Sequence, residues 1–214
     1  PKPQVVANAL YLYPLEVLED VFRWAHEIGP RVPPRMELMV LVHRDHAGEP
    51  EVVVTGPVLA ESEAQAREIL ALLETCPVLD RATAALPYAP GRMEDLYAGV
   101  HANYPDEHRY AVDNMWTHAP IDELLPGLRR IAETLPEGVS HMLWMNWAPS
   151  HPDTPPRPDM AYSVEDEIYI ALYAIWQDPA RDAENTAWPR DHMAAMAPLA
   201  SGIQLADENL GERP

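Results

Sequence analysis

Three stretches carry the side chains best suited to chemistry: Tyr110 to Trp116, His141 to Trp147, and Tyr169 to Trp176. Tyr169 and Tyr173 stand four residues apart, so in an extended strand they share a face, because successive side chains alternate. Phenols on one face can orient a polar substrate atom. A tyrosine can also act as a base where a nearby cation draws its pKa far below about 10. Tyr169 and Tyr173 are therefore the candidate catalytic groups. Asn114 and Trp116 of the first stretch, and Trp144 and Asn146 of the second, are candidate substrate-binding groups. Rings pack on a flat organic molecule while amides orient its polar atoms. Aromatic residues are also ordinary strand residues that complete a core, and residue type alone leaves both open.

Other chemistries lack their signatures. Nine histidines invite a metal site, chiefly His101 and His108 with His118, His141 or His151, but their spacing matches no short ligand motif. No metal is expected. There is no Gly-x-Gly-x-x-Gly, no P-loop, no Gly-x-Ser-x-Gly elbow and no His-Glu-x-x-His, so the chain brings no phosphate cradle of its own. The single cysteine, Cys76, excludes an internal disulfide and suits a reducing cytoplasm. A formal charge of -19 opposes binding to nucleic acid and to anionic membranes, both of which need clustered Lys and Arg. No apolar run reaches the roughly 18 to 20 residues that cross a bilayer.

The elements that must position these groups follow from periodicity. Val5 to Tyr13 is strand-like; after Pro14, Leu15, Leu18, Val21, Phe22, Ala25 and Ile28 mark one helical face. Met36 to His43 and Glu51 to Val58 flank the polar turn Arg44 to Gly48 as a hairpin. Ser62 and Gln65 form a capping box for a helix carrying Ala66, Ile69, Leu70 and Leu73. A short helix is expected over Met93 to Val100, and a longer one over Pro120 to Leu135. His108 to His118, Ser140 to Trp147 and Glu167 to Trp176 read as strands, and Ala180 to Leu199 as a closing helix. In the last strand Ile168, Ile170, Leu172 and Ala174 should meet helices, leaving Tyr169, Ala171 and Tyr173 on the other side. The fold class is α+β, a largely antiparallel sheet with helices covering one face. With 47% hydrophobic residues, the 214-residue chain fits one domain. Its open sheet face needs a cover: a second domain, a partner copy or a ligand.

The C-terminal third carries more specific text: Trp188-Pro189-Arg190, then Ala197-Pro198-Leu199-Ala200-Ser201-Gly202, then Leu205-Ala206-Asp207-Glu208-Asn209-Leu210-Gly211. Together with Tyr162 to Asp166 ahead of Tyr169, and Val52 to Gly56 ahead of a helix, it resembles the berberine-bridge-enzyme-like, FAD-linked oxidases. The resemblance implies that residues 1–214 are the substrate-binding domain of such an oxidase, with the FAD-binding domain absent. A start at Pro1-Lys2-Pro3-Gln4 and an end at Glu212-Arg213-Pro214 agree with a segment of a longer polypeptide. Where the family has Tyr-x-Asn this chain has Gln204-Leu205-Ala206, which makes Gln204 the cofactor-proximal position. Val164-Glu165 stands at the family's His-Arg, and Met145-Asn146 at its Gly pair.

The function implied is oxidation of a small organic substrate. A hydride passes to FAD, a protein base takes a proton, and dioxygen reoxidises the flavin. The isolated segment should be inactive. The competing expectation is a non-catalytic α+β module that forms a homodimer through its open sheet face.

Overall fold

The computed structural model describes residues 3–147, 151–155 and 166–205. Within them one antiparallel sheet gathers the strands β1 (Val5–Pro14), β2 (Leu38–Arg44), β3 (Pro50–Thr55), β4 (Val58–Ala60), β5 (Ala84–Gly91), β6 (Arg109–Thr117), β7 (His141–Asn146) and β8 (Ile168–Trp176). Residues 10–14 of β1 pair with β3 and residues 5–7 pair with β4, while β5 pairs with much of the same stretch. A strand has two edges, so β3 and β4 lie in tandem on one and β5 occupies the other. Beyond β3 the order continues β2, β7, β8, β6.

Helices α1 (Leu18–Ile28), α2 (Glu63–Leu70), α4 (Ile121–Glu133) and α5 (Asp182–Met196) cover one face; α3 (Met93–Asn103) stands apart from that layer. The amphipathic spacing read in α1 holds, with Leu18, Val21, Phe22, Ala25 and Ile28 buried and Trp24 with them. Against them lie Ala7, Ala9, Tyr11 and Tyr13 of β1 and Leu38, Val40 and Val42 of β2, which form the main core. Phe22 meets Trp144 edge-on with ring centroids 5.3 Å apart. The helices are tied laterally: Arg129 of α4 donates from Nε to Glu19 of α1 at 2.7 Å.

Local chemistry sets the boundaries. Asp45 accepts hydrogen bonds from the Ala47 and Glu49 amides and Gly48 adopts φ of 87°, closing the β2–β3 hairpin with a conformation that glycine tolerates. Ser62 accepts from the Gln65 amide at 3.2 Å, as a cap should, but Gln65 Oε1 accepts from the Glu61 amide rather than from Ser62. Two strand expectations change. The run from Glu51 to Val58 breaks at Gly56-Pro57 into β3 and β4, because Pro57 has no amide for the ladder. Residues 84–91, containing Pro87 and Pro90, form β5, which the proline content concealed; an edge strand accommodates both.

Candidate functional site

The face away from the helices is built from register. One cross-strand row reads Leu10, Thr55, Met39, Met145, Tyr169, Trp116; the next reads Leu12, Val53, Leu41, Leu143, Ala171, Asn114. Neither row contains a Lys or Arg. Leu10, Leu12, Met39, Leu41, Leu143 and Met145 are half-buried, so the part spanning β1, β3, β2 and β7 is an apolar, partly open surface. Toward β6 the face closes over with rings. Trp116, Tyr169, Ala171, Tyr173 and Ile175 form a second buried cluster, separated by the sheet from the main core.

Tyr169 and Tyr173 project from this face as the alternation requires, but they join different groups of rings. Tyr169 leans on Trp116 at 4.9 Å between centroids, and Trp116 meets Trp147 at 5.8 Å. Tyr173 stacks on His141 at 4.8 Å with 22° between planes, and Tyr104 closes edge-on against both. Four residues of extended strand separate the two tyrosines by about 13 Å. They are two stations on one face rather than a catalytic pair.

The second group carries acid–base geometry. Nδ1 of His141 lies 3.0 Å from the Val139 carbonyl oxygen, to which only a protonated nitrogen can donate. Nε2 is thereby left as an acceptor, and the Tyr104 hydroxyl donates to it at 3.3 Å. Burial is the main force holding the His141 pKa below the usual histidine value, and His43 adds to it. His43 sits one register step beyond the pairing of Val42 with Met142, hence opposite His141, and its Nε2 lies 3.0 Å from Glu51 Oε1. The row Glu51, His43, His141, Tyr173 thus sets a carboxylate, two imidazoles and a phenol across four strands. The sequence reading missed Tyr104 and the partnership of His141 with Tyr173. His141 was legible only as one of nine histidines, and Tyr104 comes from a loop whose path no periodicity reveals.

Two expected site residues face the other way. Trp144 is fully buried against Phe22 beneath α1, and a side chain on Gly29 would put its Cβ 2.1 Å from Asn146 Nδ2, so Asn146 fills the space under the end of that helix. Both belong to the helix-side layer. Alternation in β7 was read correctly, but the helix-facing half was the one carrying Trp144 and Asn146, whereas His141, Leu143 and Met145 line the open face.

Asn114 lies on the open face, yet its amide is engaged. Its Nδ2 donates to the Gln204 carbonyl at 3.0 Å and its Oδ1 accepts from the Gln204 amide at 2.6 Å. With the backbone exchange between Trp116 and residues 201 and 202, this clamps the segment through Gln204 along the outer edge of β6. Gln204, expected at the cofactor, is therefore brought beside Asn114 and Trp116, two of the residues expected at the substrate. Val164, Glu165 and the stretch from Ala206 onward lie outside the described residues, as do most of the residues from Tyr162 to Asp166. Among the described residues no cluster of three or more His, Cys, Asp or Glu side chains could hold a metal ion.

The sheet and helix arrangement recurs in solved structures. It superposes on BBE-like 1 of Physcomitrella patens with a TM-score of 0.66, at 13% identity over 91% of this chain and 44% of that one. With BBE-like 28 of Arabidopsis thaliana the TM-score is 0.68, at 11% identity over 96% and 46%. In sequence, 98% of the chain aligns with the FAD-linked oxidoreductase janO of Penicillium janthinellum at 26% identity, and with nodO of Hypoxylon pulicicidum at 24%. The chain resembles the FAD-linked oxidases of berberine-bridge type. It spans 46% of the length of those two curated relatives. No family model matches it. The rows that face away from the helices are largely apolar and free of Lys and Arg, so they offer no cationic partner to a phosphate.

Proposed function

We propose that this chain is the substrate-binding part of a flavin-dependent oxidoreductase that oxidises a small organic molecule, with FAD held mainly by a second domain outside the chain. The observation that carries the reading is the open sheet face. Half-buried Leu10, Leu12, Met39, Leu41, Leu143 and Met145 run without a charge into a hydrogen-bonded phenol–imidazole group. A molecule pressed between that surface and a flavin ring has apolar walls to exclude water and polar groups at one end to fix its orientation. The FAD-linked names of the aligned relatives support the cofactor assignment.

When bound, the flavin supplies the two-electron acceptor, chemistry for which the chain has no group of its own. Among the chain's own residues, Tyr173 and Tyr169 are the candidate catalytic phenols. Tyr173 has the better surroundings for proton handling, because His141 beside it holds an unprotonated Nε2 that already accepts from Tyr104. Trp116 walls the other end against Tyr169, and Asn114 acts indirectly by holding Gln204 at the sheet edge.

The test compares the purified 214-residue chain with the product of the complete reading frame. The long protein should be yellow and carry FAD near one per chain, whereas the shorter chain should be colourless. Stoichiometric FAD on the short chain, or none on the long one, overturns the reading. A second reading, a homodimer joined through the open faces, draws support from the same exposed apolar rows and from Gln204-Leu205-Ala206 standing in place of Tyr-x-Asn. Sedimentation equilibrium separates the two, since a colourless full-length dimer would favour it.

A further inference from the structure

Helix α3 is out of keeping with the rest of the fold. Its 11 residues are exposed almost throughout and none is buried. Met93, Tyr97 and Val100 are 38%, 67% and 57% exposed, and with half-buried Leu96 they recur at the i, i+3, i+4, i+7 spacing of a single helical face. A lone helix of this length is marginal in water, and such helices gain their stability from packing an apolar face. Among the described residues this face is left largely uncovered, with only Leu96 half-buried.

The position of α3 indicates what covers it. The segment leaves β5 at one edge of the sheet and enters β6 at the other. Tyr104, the residue that follows the last turn of α3 and leaves the helical conformation, is seated on the open face against His141 and Tyr173. The helix therefore ends at the border of the face assigned to the flavin side. The two curated relatives extend for more than half their length beyond the region aligned with this chain.

We infer that the Met93–Leu96–Tyr97–Val100 stripe is a docking surface for the flavin-binding domain of the same polypeptide. It rests on the function proposed above and adds a specific contact to it. The stripe and the apolar rows of the sheet form two walls of one interface, with Tyr104 at their junction. An aromatic and aliphatic centre with Glu94, Asp95 and His101 close by in the helix has the apolar-core, polar-rim character of a domain interface.

Hydrogen–deuterium exchange on both proteins tests the inference. Amides of residues 93–103 should exchange rapidly in the 214-residue chain and roughly tenfold or more slowly in the full-length protein. A double variant, Tyr97→Asp with Val100→Asp, should leave the melting temperature of the short chain within about 2 °C, because both side chains are exposed there. In the full-length protein it should abolish the added protection and loosen FAD. Equal exchange in both proteins, with FAD still bound to the long one, overturns the docking surface and leaves the flavin reading standing. A full-length protein without FAD overturns the flavin reading, and with it this occupant. Protection of α3 already present in the short chain, together with a dimer in sedimentation, assigns the stripe to a second copy and likewise overturns the proposal.

Discussion

At the scale of single residues, His141 is the most informative side chain. It is buried, carries its proton on Nδ1, and presents Nε2 to Tyr104, with Tyr173 stacked on it and His43 opposite. Its pKa is lowered on folding, so the unfolded chain binds the extra proton first as the medium acidifies. The stability that depends on neutral His141 is complete above the ordinary value near 6.5 and declines as the pH falls below it. His192, half-buried beside Trp188, should contribute in the same direction. Urea midpoints at pH 7.5 and 5.5 should therefore show acid destabilisation that His141→Gln reduces; an unchanged difference would deny the residue this role. Asn114 makes a second prediction. Loss of its paired hydrogen bonds in Asn114→Ala should cost about 1–3 kcal/mol and release residues 201–204, visible as faster amide exchange at Gln204. Side-chain type suggested a polar site here, but not that the amide would be spent on backbone.

At the scale of elements, the sequence was most legible where a period was long and uninterrupted. The stripe of α1 and the alternation of β8 located Ile168, Ile170, Leu172 and Ala174 on the helix side and Tyr169 and Tyr173 opposite, as found. β7 shows the limit: large side chains populate both of its faces, so period 2 identifies two sets without saying which meets the helices. Packing decides, and Trp144 lies under Phe22. Trp144→Ala should lower stability by about 3–5 kcal/mol, as removal of a buried indole does, whereas Trp147→Ala on a 46% exposed ring should cost far less. Chemical denaturation of the two variants checks the contrast. Gly29→Ala should cost about 1–3 kcal/mol, because the new methyl collides with Asn146 and the end of α1 must shift. β5 escaped notice because prolines argue against a central strand, and only the assembled sheet shows that this one is an edge.

At the scale of the molecule, the two sides of the sheet have different tasks. The helix side closes a core sufficient to hold the fold, and the other side carries apolar rows, rings and the unsatisfied stripe of α3. Local sequence could indicate that a face was left over, since the helices were expected to cover only one side of the sheet. It could not show how Tyr104 returns to that face, because the return depends on a crossing from one edge of the sheet to the other.

Both margins of the sheet are blunted. On one, β5 places Pro87 and Pro90 where ladder amides would be; on the other, the segment through Gln204 lies beside the C-terminal half of β6 and occupies the Trp116 backbone. Strands from another molecule therefore find little to extend, and cross-β polymerisation is disfavoured at either end. Truncation after Ala200 should uncover β6 and turn a well-behaved protein into one that aggregates on warming, measurable by light scattering. The open face, rather than these margins, is the broad surface left for a partner.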